Sequence, residues 1–90
     1  MLVWFARLIR QNYVGSILEY KHLGKSGLKV SPLCLGTMLF GRETPSQESQ
    51  LIIESARSSG INFIDTADAY VSGDSERLVG RCIKTSRDHW

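Results

Sequence analysis

From Tyr20 onward the apolar positions fall into short runs separated by glycine and proline, and this punctuation predicts the elements. Tyr20–Leu23 reads as a short strand. GKSG, Gly24–Gly27, reads as a turn with two glycines available for positive φ, and Leu28–Ser31 as the returning strand of a small hairpin. Pro32 ends it. LCLG, Leu33–Gly36, is a brief apolar run between proline and glycine, the pattern of a strand buried on both faces. After the loop TMLFGRE, Thr44 suits an N-cap, Pro45 the first helical position, and Glu48 the positive end of the helix dipole. Leu51, Ile52, Ser55, Ala56 and Ser59 recur at helical spacing, and Gly60 suits the C′ position. The pattern predicts a helix over Pro45–Ser59. INFID, Ile61–Asp65, reads as a second strand, followed by a loop through Tyr70 and VSG. Asp74 or Ser72 then caps a second helix over Ser75–Lys84, with Leu78, Val79, Cys82 and Ile83 as its apolar face, and SRDHW is a tail. A hairpin followed by β-α-β-α predicts an α/β fold with a parallel sheet covered by helices.

Composition narrows the class. Ninety residues with 42% apolar content make at most one small globular domain. The net charge of +2 lies in the first eighteen residues, where Arg7 and Arg10 stand without an acid; residues 19–90 are formally neutral. No basic stripe is interleaved with aromatics, so nucleic-acid binding has no support. Cys34 and Cys82 form no CxxC pair and no Cys/His cluster, which reads as two reduced, buried thiols in a cytoplasmic protein.

Residues 1–18, MLVWFARLIRQNYVGSIL, form an N-terminal extension to a domain over 19–90. The extension is too short and too interrupted for a membrane span, which needs about 20 apolar residues. Its arginines follow LVWFA, whereas a signal peptide puts positive charge first. An unprocessed or mis-assigned extension, a mitochondrial presequence and a surface-lying helix all fit.

Several motifs fail on inspection. GKS at Gly24–Ser26 needs a glycine five positions earlier to make a phosphate-binding loop, and Glu19 stands there. Asp65–Glu76 has the length of a calcium loop but puts Ala67, Ala69 and Tyr70 where oxygen ligands and glycine belong. No G-x-G-x-x-G follows a strand. His22 and His89 have no companion ligands, and no metal site is expected.

Asp65 and Tyr70 carry more chemistry. In parallel β/α folds, sites gather at the C-terminal ends of the strands, where Thr37 and Asp65 both fall. Asp65 follows an apolar run, which predicts a partly buried carboxylate needing a cation or several donors. A free phenol titrates near pH 10, and a nearby cation is what brings a tyrosine into range as an acid. The second helix ends in Lys84, on the wrong side of its unit to serve. On residues alone two readings stay open: an acid–base pair, or a turn-capping aspartate beside a packed tyrosine.

Three linked segments carry a resemblance. YKHLGKSGLKVSPLCLGTMLFG, GINFIDTADAY and SGDSERLVGR, in that order, closely resemble the start of the aldo-keto reductase family, in particular its branch related to potassium-channel β subunits. The resemblance covers about Glu19–Asp88. It implies an N-terminal hairpin plus the first two β/α units of a (β/α)8 TIM barrel, left incomplete. It also implies NADP-dependent, metal-free reduction of aldehydes or ketones, small-molecule carbonyl compounds. Tyr70 matches the family's general acid and Asp65 its aspartate; Gly36, Thr37, Met38 and Asp65 match the segment that meets the cofactor.

The family's lysine, after strand three, and its histidine, after strand four, have no counterpart in these residues. A barrel of this class takes about 250 residues. The expectation is therefore an N-terminal fragment, a truncated or partial gene product that is inactive alone. A non-catalytic binding module of the channel β-subunit kind and a non-functional remnant are the alternatives; no protein partner is indicated.

Overall fold

A computed structural model describes residues 18–90; the readings of residues 1–17 lie outside them. The chain runs β1 (Lys21–His22), β2 (Lys29–Val30), β3 (Leu35–Gly36), α1 (Ser46–Ser58), β4 (Ile64–Asp65), a 3-10 turn (Tyr70–Gly73), α2 (Asp74–Ile83) and a second 3-10 stretch (Lys84–His89). This is an α/β fold of two small sheets and two helices. β1 and β2 pair antiparallel, Lys21 opposite Val30. β3 and β4 pair parallel, with Leu35 opposite Ile64 and Gly36 opposite Asp65.

The expected hairpin is present. Its turn uses Gly24 and Gly27 at φ 58 and 85, and the Ser26 hydroxyl donates to the Leu23 carbonyl (2.7 Å) while accepting from Leu28 N–H (3.2 Å). Two clips fasten the hairpin to the β-α-β unit. Asn62 accepts from Ser31 N–H (2.7 Å) and donates to the Lys29 carbonyl (2.9 Å). The Tyr20 hydroxyl donates to the Gly60 carbonyl. Gly60 ends α1 at φ 92, a conformation that favours glycine, and a Cβ there would lie 3.0 Å from that hydroxyl and press on the clip.

The core joins Leu18, Leu35, Phe40, Ile52, Ile53, Ala56, Ile61, Leu78 and Val79, with Leu33, Ile64, Cys82, Ile83 and Trp90 packed against it. Burying side chains of this size stabilises by about 1.5–3 kcal/mol each before entropy is charged against them. Cys82 and Ile83 extend the apolar face of α2, as the pattern predicts.

Five local expectations are corrected. The buried stripe of α1 is Ser49, Ile52, Ile53 and Ala56, at i, i+3, i+4 and i+7, whereas Leu51 points outward at 65% exposure because the helical repeat puts it on the far side from that stripe. Pro45, not Thr44, holds the N-cap position without a side-chain bond. Thr44 serves through its carbonyl instead, which accepts from Gly41 N–H (2.9 Å) and the Ser49 hydroxyl (3.1 Å). The strand through LCLG is buried on one face only. Leu35 and Thr37 are fully covered while Cys34 is exposed, since the covering core gathers on one side of the sheet. Neither Asp74 nor Ser72 caps α2; Gly73 stands before it in the left-handed region at φ 96. Finally, the tail is folded. His89 Nε2 donates to the Ile61 carbonyl (2.7 Å) and Trp90 packs on the core, where its indole removes apolar area from water.

An open cleft of about 480 Å³ lies beside β4, bounded among others by Leu23, Leu28, Phe63, Ile64, Ile83 and Trp90. Among the described residues no helix is long and apolar enough to cross a membrane.

Candidate active site

The parallel register sets the site. Pairing Leu35 with Ile64 and Gly36 with Asp65 ends both strands at the same level. Successive side chains then alternate between the helix-covered face and the open one. Leu35 and Thr37 go to the covered face. Cys34 and Asp65 are exposed.

Asp65 therefore does not meet the expectation of partial burial. Its carboxylate is solvated on the open face, which removes the need for a buried partner. Among the described residues the one salt bridge joins Arg77 to Asp74 (3.0 Å), away from Asp65 and with both side chains exposed. Asp65 nonetheless acts on its neighbour. The Cys34 thiol is held above its ordinary value, first by local desolvation and second by the Asp65 charge. The folded state thus favours the neutral thiol, and this contribution is lost as pH rises above the ordinary thiol value of 9.0. Since the thiolate is the nucleophile, Asp65→Asn should speed alkylation of Cys34 at pH 8 while leaving Cys82 unchanged; quantified iodoacetamide labelling checks this.

Each residue singled out from the sequence has a definite place. Gly36 ends β3 with nothing within 4 Å of where a Cβ would stand, so it leaves open space next to Asp65. Thr37 is fully buried. Its hydroxyl donates to the Asp65 carbonyl (2.8 Å), so it braces the strand ends and faces away from any ligand on the open side. Met38 is 58% exposed at the lip. Tyr70 is half-buried at the start of the 3-10 turn, its N–H donating to the Ala67 carbonyl (3.2 Å).

The segment after Tyr70 is strained. Val71 and Ser72 are left-handed at φ 50 and 54, and Gly73 continues at φ 96. Each non-glycine residue in that region costs about 1–2 kcal/mol. Backbone strain of this kind persists only where surrounding contacts enforce it. Just beyond this segment stands Ser75, a residue no sequence motif singles out. Ser75 is fully buried in the first turn of α2, and its hydroxyl donates to the Thr37 carbonyl (2.6 Å) and lies 3.2 Å from Thr37 Oγ1 and 3.4 Å from Thr66 Oγ1. The SGDSE spacing hinted only at a helix start.

Fold and site together define an α/β protein whose polar chemistry gathers at the C-terminal ends of parallel strands. Residues 32–90 match the model of the aldo/keto reductase family. A protein described as a voltage-gated potassium channel subunit beta from Arabidopsis thaliana is 41% identical over 68 residues, covering 74% of this chain and 21% of that protein. The uncharacterized oxidoreductase YrpG of Bacillus subtilis is 43% identical over 68 residues, covering 71% and 21%. A solved chain described as an aldo-keto reductase from Pseudomonas aeruginosa superposes with a TM-score of 0.72 at 47% identity, over 79% of this chain and 28% of that one. The chain belongs to the aldo/keto reductase family. It spans about a fifth of the length of these curated relatives.

Proposed function

We propose that residues 19–90 are the N-terminal hairpin and first two β/α units of a (β/α)8 barrel, following an N-terminal extension over 1–18. In this reading they supply half of an NADP-dependent carbonyl reductase site. The observation that carries it is the parallel β3–β4 pair, which puts an exposed Asp65 beside an open Gly36 and just ahead of Tyr70. The open cleft beside β4, whose lining mixes Phe63, Ile64 and Ile83 with Arg87 and Asp88, leaves room for a further strand there.

The residues fit the nicotinamide–ribose end of the cofactor. Gly36 leaves floor space, the Asp65 carboxylate can accept hydrogen bonds from hydroxyl or amide groups, and Met38 offers an apolar lip; Thr37 contributes through its backbone. When bound, NADPH supplies the hydride. Tyr70 is the general acid, its phenolic O–H passing a proton to the substrate carbonyl oxygen as negative charge develops there. Asp65 orients a cation that brings the tyrosine into range, and the family's lysine and histidine come from later strands. Among the described residues no group of three or more His, Cys, Asp or Glu could hold a metal ion, and the tyrosine mechanism needs none. Both cysteines are free thiols, which favours a cytoplasmic setting.

The test is a chimera. Residues 19–90 replace the matching segment of the Pseudomonas aeruginosa relative, and NADPH oxidation with a small aldehyde is followed by absorbance. The 41% identity to a channel-subunit relative favours a second reading, a non-catalytic regulatory module. Specific capture of a tetrameric membrane channel by a chimera that binds NADPH without turnover would support that reading instead.

A further inference from the structure

We infer that Ser75 is a positioning residue that, with Thr37 and Thr66, closes the base of the loop carrying Tyr70 and so sets Tyr70 relative to Asp65. The inference deepens the proposed site and rests on it for its catalytic meaning.

The hydroxyl network has a consistent direction. Each hydroxyl has one proton to donate. Thr37 gives its proton to the Asp65 carbonyl at 2.8 Å. Ser75 gives its proton to the Thr37 carbonyl at 2.6 Å. Thr66 Oγ1 stands 3.4 Å from Ser75 Oγ, a contact longer than an ordinary O–H···O bond, so the two short bonds carry the network. Thr37 and Ser75 each place their proton in a short bond, and both are fully buried. The network joins the ends of β3 and β4 to the first turn of α2.

Position distinguishes this from an ordinary helix start. Ser75 caps no N–H of α2, which has no side-chain cap. Its proton goes to a carbonyl 38 residues earlier in the chain. The Thr66–Ser75 contact spans nine residues and encloses Tyr70 together with the left-handed Val71, Ser72 and Gly73. Inside that span the backbone bonds are long, Tyr70 N–H to Ala67 at 3.2 Å and Ser72 N–H to Ala69 at 3.3 Å. Such bonds hold the strained turn weakly by themselves. The clamp at its base supplies the rest, and Asp65 is tied to the same clamp through its own carbonyl.

The test is amide hydrogen exchange by NMR on the full 90-residue chain, which needs no turnover. Its outcome therefore stands apart from whether Tyr70 transfers a proton. Ser75→Ala should speed exchange at Tyr70 and Ser72 by roughly tenfold, the loss expected from a buried hydrogen bond of about 1.4 kcal/mol. Exchange at Ser59 and Ile61, whose N–H groups bond to Ala56, should change far less. Ser75→Thr, which keeps the hydroxyl, should restore protection in the loop. Should Ser75→Ala not fold, Thr66→Val removes the more distant hydroxyl from a half-buried position and should give a smaller loss confined to the same loop. A uniform rise across loop and core, or an unchanged loop in a folded variant, would overturn the inference.

Discussion

Tyr70→Phe in the barrel chimera is expected to cut NADPH-dependent carbonyl reduction by roughly 10²–10⁴-fold, the range typical of losing a general acid. The ring stays and only the phenolic oxygen goes, so folding and NADPH affinity should hold. Tyr70 is half-buried on a turn outside the core cluster, which is why packing should be little disturbed. The measurement is kcat/KM for an aldehyde, with NADPH binding followed in parallel by fluorescence. A loss confined to turnover supports the acid role. An equal loss of cofactor binding would assign Tyr70 to cofactor contact or to structure.

Phe40→Ala should produce the largest effect on the fold, about 3–5 kcal/mol. Phe40 is the bulkiest fully buried side chain and plugs the turn between β3 and α1, where its N–H donates to the Thr37 carbonyl (3.1 Å). A chain with this little core has slight stability to spare, since small folds bury a smaller fraction of their surface. Far-UV circular dichroism during thermal melting should show the variant largely unfolded at 25 °C. A melting curve within a few degrees of the parent would mean that the core does not depend on this residue.

Local chemistry was legible wherever backbone conformation decided the outcome. The glycines of GKSG placed the hairpin, and Gly60 placed the end of α1, because each needs a positive φ that few other residues adopt. Facing was harder to read. In strands of two paired residues, alternation does not say which side a helix will cover, so the sequence points to a partly buried Asp65 and a buried Cys34, and both stand exposed. Leu51 shows the same limit, since two stripes fit the helical spacing here and the buried one runs through Ser49 and Ile53 instead. Long-range contacts were not readable at all. The Ser75–Thr37 bond, the Asn62 clip and the His89–Ile61 bond join residues 38, 31 and 28 apart, and no local pattern marks them. The family motifs pointed to Asp65 and Tyr70, while the residues bracing them emerged only from the folded arrangement.

The central claim is that residues 19–90 provide the Asp–Tyr half of a reductase site and need the later strands to work. The most direct measurement is NADPH oxidation at saturating aldehyde, run side by side on the chimera and on a polypeptide of these 90 residues. The account predicts steady turnover by the chimera and none above background by the 90-residue polypeptide. A folded, NADPH-binding chimera without turnover would contradict it, as would turnover by the 90-residue polypeptide that Tyr70→Phe abolishes.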